Sequence, residues 1–177
     1  MCNYMKLEIA ARSENERFAR SAVAAFALCL NPSLSELSDI KTVVSEGVTN
    51  AIVHAYGKSG KGAIRIECTA ENNGVGADGQ ECTGGILHIA ITDYGCGIED
   101  VEQALTPFYT TLENEERSGM GFTVMQTFCD GFAVESTRGQ GTSVRLTKRI
   151  GLPLTEDTQP PCEGELVGLE KDGVHAG

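Results

Sequence analysis

The sequence predicts an α+β fold, a two-layer α/β sandwich in which helices cover one face of a mixed, mostly antiparallel sheet. Two observations carry this prediction. Helix-like and strand-like segments are segregated along the 177 residues, and no repeating strand-helix-strand rhythm, which a doubly wound sheet would require, is present. With 41% hydrophobic residues the chain can bury one core of ordinary size. We expect one domain at residues 1–150 and a disordered acidic tail at 151–177, which is rich in Pro, Gly and acidic residues.

The first strand and the first helix are predicted within residues 5–30. The segment MKLEIAA (5–11) alternates as a strand does. In the following SENE, Ser13 and Glu16 have the spacing of a capping box, which predicts a helix that runs to about Leu30. The apolar stripe expected to face the core on this helix consists of Phe18, Ala22, Ala25, Phe26 and Cys29.

A longer second helix follows Pro32. Ser33 and Glu36 form another possible capping box, and the apolar pattern continues to Tyr56, with Gly57 as the stop. Its predicted core stripe consists of Leu37, Ile40, Val44, Val48, Ala51 and Ala55.

The rest of the domain is predicted to form strands, short helices and polar loops. GAIRIECTA and GGILHIAITD predict two strands, and the polar segment between them predicts a long hairpin loop at 71–85. The remaining predicted elements are a short helix at 98–105, a polar loop at 106–118, a helix at 121–129, and a closing hairpin formed by GFAVEST and GTSVRLTKR.

Composition limits the classes of partner. The net charge of −11, with no basic cluster, disfavours direct binding to nucleic acid or to an anionic membrane. Seven cysteines without a CxxC pair argue against a zinc site and a complete disulfide framework, and are expected to be free thiols. No signal peptide and no apolar run of about 20 residues is present, so we expect a cytoplasmic protein.

Glu46 and Asn50 are the first candidate site residues. They are four apart on the second helix and therefore share a face, turned away from the stripe of Val44 and Val48. Taken alone, such a pair is most often a solvated helix face. A glutamate can also act as a general base, and an asparagine oxygen can ligate Mg²⁺.

Two glycine-containing motifs form the other candidate site. Asp93, Gly95 and Gly97 end an apolar strand, a composition that indicates close approach of a ligand to the backbone. Gly119 and Gly121 precede a helix whose N-terminus can bind an anion such as phosphate. The dinucleotide fingerprint, the P-loop and the EF-hand are each excluded by residues at required positions.

Taken in order, E46-x-x-x-N50, D93-x-G95-x-G97, G119-x-G121 and G141-T142 resemble the ATP site of the GHKL superfamily, which has the Bergerat fold. The resemblance implies that Asp93 accepts a hydrogen bond from the adenine amino group, with Thr142 assisting through water. It implies that Gly95 and Gly97 let the backbone pass close to the nucleotide, and that Asn50 holds Mg²⁺. The other positions that it assigns to ATP or ADP binding are Ile98, Ser118, Gly119, Met120, Gly121 and Phe122.

Three stretches narrow the resemblance: SENERFARSAVAAF, LSDIKTVVSEGVTNAIVHAYG and TTLENEERSGMGFTVMQTF. They closely resemble the sporulation anti-sigma F factors, small serine kinases that bind a sigma factor, and the resemblance covers residues 5–150. The resemblance implies ATP-dependent phosphorylation of a serine on an anti-anti-sigma factor, with Glu46 and Arg117 as catalytic residues. It also implies a homodimer and a partner-binding role for Arg20. The chain departs from the family in its longer loop at 71–85 and in Leu112, which stands where a lysine is usual.

Two alternatives stay open at this stage. The chain could be a nucleotide-dependent sigma-binding module without significant kinase activity, or a stress-response anti-sigma kinase of the same superfamily. Glu46 bears on the first alternative, because a pure binding module has no need of a carboxylate one turn before the metal ligand.

Overall fold

The computed structural model describes residues 2–57, 61–72, 84–106 and 120–151. Within these residues the chain forms five strands and four helices, with a 3-10 turn at Leu28–Leu30 and a π-helical stretch at Ala51–Ala55. The elements are β1 (Cys2–Ala10), α1 (Ser13–Ala27), α2 (Leu34–Asn50), β2 (Ala63–Asn72), β3 (Gly85–Asp93), α3 (Val101–Ala104), α4 (Gly121–Phe128), β4 (Gly131–Thr137) and β5 (Gly141–Ile150).

The strands form one sheet in the order β1-β2-β3-β5-β4. All four pairings in the described sheet are antiparallel, so the α+β prediction is confirmed and the parallel part expected of a mixed sheet is not seen there. Alternate residues on the central strands are buried beneath α1, α2 and α4, because strand side chains point to opposite faces. The inward residues include Ile64, Ile66 and Cys68 on β2, Leu87, Ile89 and Ile91 on β3, and Val144 and Leu146 on β5.

The stripe predicted for α1 is wrong for most of its members, although Phe26 packs partly buried against the core. Phe18 is 56% exposed, Ala25 and Cys29 are also exposed, and only Ala22 and Phe26 are half-buried. Small residues let helices approach closely, so α1 packs on α2 through its face of small side chains. The bulkier side chains of α1 lie on its other faces. The residues buried on α1 are Ala19, Val23, Ala24 and Ala27.

The capping box predicted for α1 is also wrong. Arg12 occupies the N-cap position and no side chain caps the helix, since Ser13 is already its first residue. Glu16 instead accepts a hydrogen bond from the Ser45 hydroxyl at 2.6 Å, and so connects α1 to α2.

The prediction for α2 is confirmed. Ser33 and Glu36 form a complete capping box. Gly57, with a φ of +58°, ends the helical segment. In the predicted stripe, Leu37 and Ala55 are half-buried, and the fully buried members are Ile40, Val44, Val48 and Ala51.

Most of the loop predicted at 71–85, nearly all of the polar loop at 106–118, and the tail beyond residue 151 lie outside the described residues. The predicted short helix at 98–105 is observed as the four residues of α3, and the helix at 121–129 as α4. Across the described segments, no helix is both long enough and apolar enough to cross a bilayer.

Glu36 joins the start of α2 to the end of β5. Its carboxylate accepts hydrogen bonds from the backbone N–H of Ser33 at 2.7 Å and from that of Gly151 at 2.9 Å. Partial burial acts to raise the pKa of Glu36. The hydrogen bonds from Gly151 and Ser33 and the charge of Lys148 outweigh that effect, so the pKa lies below its ordinary value.

A lowered folded pKa means that the stabilisation by Glu36 is complete above the unfolded pKa and is lost as the pH falls through the folded pKa. We therefore expect the unfolding free energy of the wild type to fall more steeply below about pH 4 than that of Glu36→Gln. Urea denaturation across this pH range measures the difference. Glu14→Gln, a change at an exposed first-turn glutamate of α1, is the matched control, and an identical slope for wild type and Glu36→Gln would contradict the assignment.

Candidate functional site

A cavity of about 970 Å³ lies between α2, the end of β3, the start of α4 and β5. Its volume lies within the ordinary range for small-molecule sites. The cavity brings together residues from all four sequence motifs. The predicted site residues that line it are Glu46, Asn50, Asp93, Gly97, Ile98, Met120, Gly121, Phe122 and Thr142.

The other predicted site residues are placed differently. Gly95 is not among the residues that line the cavity and packs against the end of the helical segment that begins with α2. Arg20 lies on α1, half-buried, with its guanidinium 3.5 Å from a carboxylate oxygen of Glu16. Arg117, Ser118 and Gly119 lie outside the described residues.

Asp93 is the buried carboxylate of the cavity and is 5% exposed. Its Oδ1 atom accepts hydrogen bonds from the backbone N–H groups of Gly95 at 2.9 Å and Thr142 at 3.2 Å. In the described part of the chain no group donates to Oδ2. Asp93 lines the cavity, so a ligand bound there can donate a hydrogen bond to its carboxylate.

The pKa of Asp93 is raised above its ordinary value, because burial disfavours the charged form more than the hydrogen bonds from Gly95 and Thr142 favour it. A ligand that donates a hydrogen bond to Oδ2 would offset part of this desolvation.

Glu46 and Asn50 lie one turn apart on α2 and face the first residue of α4. An ideal Cβ added to Gly121 would lie 3.0 Å from Asn50 Nδ2 and 3.1 Å from Glu46 Oε2. These separations are tighter than ordinary van der Waals contact, so glycine lets the N-terminus of α4 reach both side chains. The amide, the carboxylate and the first N–H groups of a helix, which have no partner within the helix itself, thus meet at one wall.

The helical segment widens after Asn50 into the π-helical stretch Ala51–Ala55, a feature often found at functional sites. The carbonyl of Ala55 accepts a hydrogen bond from the Cys96 N–H at 3.3 Å, and that of His54 accepts one from the Cys96 thiol at 3.1 Å. Carbonyl groups at the end of this segment therefore hold the loop that follows β3.

The structure shows why glycine stands at two positions of the loop that follows Asp93 at the end of β3, here called the Asp93 loop. A Cβ on Gly95 would lie 2.4 Å from the Ala55 carbonyl oxygen, and one on Gly97 would lie 2.2 Å from that of Thr137. The close approach that the motif indicates is therefore made, for both glycines, by the protein's own backbone. Gly97 also has a φ of +69°, which favours glycine.

Two hydroxyl groups that sequence reasoning missed hold this loop in place. The Tyr56 hydroxyl accepts a hydrogen bond from the Tyr94 N–H at 2.8 Å and donates to the Ala63 carbonyl at 2.7 Å. The Ser136 hydroxyl accepts one from the Ile98 N–H at 2.7 Å. The strand register pairs Ser136 with Thr142 and not with Ile98, so no local pattern of the sequence indicated this contact.

The residues present fit a nucleotide and a hydrated Mg²⁺. The cavity offers the acceptor of Asp93 at one end and the N-terminus of α4 at the other wall. In the described segments no group of three or more His, Cys, Asp or Glu side chains is arranged to hold a metal ion. Asn50 can supply one oxygen ligand, and Mg²⁺ bound with a nucleotide takes its other ligands from phosphates and water.

Alanine substitutions at Gly97 and Gly139 distinguish the cost of a steric clash from the cost of backbone strain. Both have a positive φ, +69° and +77°, but a Cβ on Gly139 would meet nothing within 4 Å. We expect Gly139→Ala to cost about 1 kcal/mol of unfolding free energy, from strain alone. Gly97→Ala should cost more than about 2 kcal/mol, because the loop must also move from the Thr137 carbonyl. Urea denaturation compares the two, and equal losses would contradict the packing role of Gly97.

Comparisons with known proteins agree with this geometry. A family model described as a histidine kinase-like ATPase domain matches residues 9–148. An anti-sigma F factor of Caldanaerobacter subterraneus subsp. tengcongensis is 50% identical over 84% of this chain and 95% of its own length. Similar proteins of the same name from Clostridium botulinum and Geobacillus kaustophilus are each 47% identical over 85% of this chain, and over 96% and 94% of their own lengths.

A solved structure shows a related fold. The structure of the RsbU and RsbW domains of Rv1364c from Mycobacterium tuberculosis aligns with a TM-score of 0.53 at 18% identity, over 89% of this chain and 35% of that one. The family model and the curated relatives each span most of this chain. The chain therefore belongs to the histidine kinase-like ATPase domain family and, within it, to the family of the anti-sigma F factors.

Proposed function

We propose that the chain is an anti-sigma factor that binds a sporulation sigma factor and uses ATP to phosphorylate a serine of its anti-anti-sigma antagonist. The names of its relatives at 47–50% identity support the regulatory role. The observation that carries the enzymatic role is the cavity that Asp93 lines, in which Asn50 and Glu46 meet the start of α4. The domain that performs it is proposed to be residues 1–150, with 151–177 as a separate tail.

Adenine is the base that Asp93 favours. Its Oδ1 accepts hydrogen bonds from two backbone N–H groups, and its Oδ2 has no donor among the described residues. A ligand that donates a hydrogen bond to Oδ2 is therefore favoured. The exocyclic amino group of adenine is such a donor. Guanine presents a carbonyl oxygen at the same position and would leave the buried acceptor unpaired.

The phosphate groups are proposed to lie towards Asn50 and the start of α4. The free N–H groups and positive dipole end of this eight-residue helix attract anions. The described lining of the cavity is otherwise mainly acidic, since it contains Glu46, Asp93, Glu99 and Asp100 but, as basic residues, only Arg138 and the histidine His54. Mg²⁺, when bound with the nucleotide, would offset this negative charge and neutralise charge on the phosphates.

Glu46 is proposed as the base. In the transfer a bond forms between the oxygen of a partner serine and the γ-phosphorus, and the bond from that phosphorus to the bridging oxygen of ADP breaks. The serine proton passes to the Glu46 carboxylate, which lies on the cavity wall one turn from Asn50. Arg117 is proposed to contact the phosphates or the docked partner. Catalysis of this kind depends mostly on positioning and charge.

Helix α1 is proposed to contribute to the partner surface. It carries Arg20, and it exposes Phe18, which is 56% accessible, as an apolar side chain. The two side chains are two residues apart and so point about 200° from each other around the helix, and an exposed aromatic side chain such as Phe18 is typical of protein contact sites. A homodimer is proposed as well, and equilibrium sedimentation of the full chain tests it.

Asp93→Asn tests the adenine site. The amide oxygen can still accept from Gly95 and Thr142, so the fold should persist, but the amide nitrogen then presents a donor to the adenine amino group. We expect the affinity for ATP and ADP, measured by calorimetry, to fall by at least about tenfold. Asp130→Asn, at an exposed carboxylate that accepts from the Arg149 N–H, is the control. Affinity within about threefold of wild type would overturn the assignment.

Glu46→Gln separates a kinase from a binding module. The change keeps the size of the side chain but removes the base, so phosphorylation of the antagonist, followed with labelled ATP and Mg²⁺, should fall roughly 10² to 10⁴-fold. ATP binding and inhibition of sigma-dependent transcription should survive, because neither depends on proton transfer. Unchanged kinase activity would mean that Glu46 is structural, and activity absent from the wild type itself would favour the binding module.

A further inference from the structure

The Ser136 hydroxyl on β4 is the centre of a small hydrogen-bond network beside the cavity. Its oxygen lies 2.7 Å from the Ile98 nitrogen, 3.0 Å from the Gly141 carbonyl oxygen and 2.9 Å from Thr142 Oγ1. Ser136 does not line the cavity, whereas Thr142 and Ile98 do. Any influence of Ser136 on a ligand therefore passes through these neighbours.

Only one arrangement of hydrogen atoms satisfies all three contacts. The Ile98 N–H can only donate and the Gly141 carbonyl can only accept, so Ser136 accepts from the first and gives its single proton to the second. Its remaining lone pair must then receive the proton of Thr142. The Thr142 hydroxyl is thereby fixed as a donor to Ser136 and presents only lone pairs elsewhere.

This arrangement of hydrogen atoms affects the end of the cavity at Asp93, where the adenine base is proposed to bind. Thr142 also donates its backbone N–H to Asp93 Oδ1, so its side chain is held beside the buried carboxylate. Asp93 and Thr142 both line the cavity, and towards a ligand the carboxylate and the Thr142 hydroxyl oxygen then both act as acceptors. A site that offers only acceptors favours an amino group and disfavours a carbonyl oxygen at the same place.

We propose that Ser136 is a positioning residue for base selection: by taking the proton of Thr142, it keeps that hydroxyl an acceptor and so increases the preference for adenine over guanine. This inference rests on the proposed binding of adenine nucleotides. It concerns the ratio of two affinities. A residue that merely anchored the loop at Ile98 would change both affinities together.

The test is the ratio of ADP to GDP affinity, measured by competition against a fluorescent ADP analogue. In Ser136→Ala the Thr142 hydroxyl can rotate and donate, so GDP should gain relative to ADP and the ratio should fall roughly tenfold. Ser136→Thr keeps the hydroxyl and should restore the ratio. Ser143→Ala is the matched control, because it removes a serine–threonine hydroxyl contact of 3.1 Å, to Thr92, from the adjacent position on β5.

A Thr142→Val background shows whether Ser136 acts through Thr142. There, Ser136→Ala should leave the ratio unchanged, whereas Thr142→Ser alone should retain the wild-type ratio. An unchanged ratio in Ser136→Ala, or an equal loss of ADP and GDP affinity, would overturn the inference while leaving the proposed function intact. Should Ser136→Ala not fold, a wild-type ratio in Thr142→Val would overturn it equally. Absence of ADP binding by the wild type would overturn both.

Discussion

The docking of the Asp93 loop against the end of the helical segment that begins with α2 is the contact on which the cavity depends. The carbonyl of Ala55 accepts from Cys96 and would lie within 2.4 Å of any Cβ on Gly95, so the loop and the helical segment touch backbone to backbone. The π-helical stretch at Ala51–Ala55 provides carbonyl groups for this contact. Because Asp93 stands at one side of the contact and Asn50 at the other, their relative position follows from it.

Charge is the second constraint on this site. A chain with a net charge of −11, and a cavity whose described lining is mainly acidic, must bind an anion without a cluster of basic side chains in its described part. Backbone dipoles can do this, since a helix N-terminus acts as a partial positive charge that needs no lysine or arginine. Burial in the same cavity raises the pKa of Asp93 above its ordinary value.

Helix α2 serves the core and the site at once. Its stripe of Val44 and Val48 is fully buried, while Glu46 and Asn50 look into the cavity, because residues two apart on a helix point about 200° from each other. Helix α1 supports it through small side chains, which leaves bulkier ones such as Phe18 at the surface. The Lys148 ammonium adds a polar link, since it contacts the Asp39 carboxylate of α2 and the Phe128 carbonyl at the end of α4.

The sequence by itself determined the order of helices and strands, the capping box at Ser33 and the candidate residues Glu46, Asn50 and Asp93, because periodicity, caps and motif spacing are local. It predicted the buried face of α1 and the cap at Ser13 wrongly, since close packing against α2 decides both. Only the tertiary structure showed that Gly95 and Gly97 accommodate protein backbone and that Ser136 contacts Thr142. Such contacts join residues far apart in the chain or opposite in strand register, and a linear pattern does not record which backbone atoms meet.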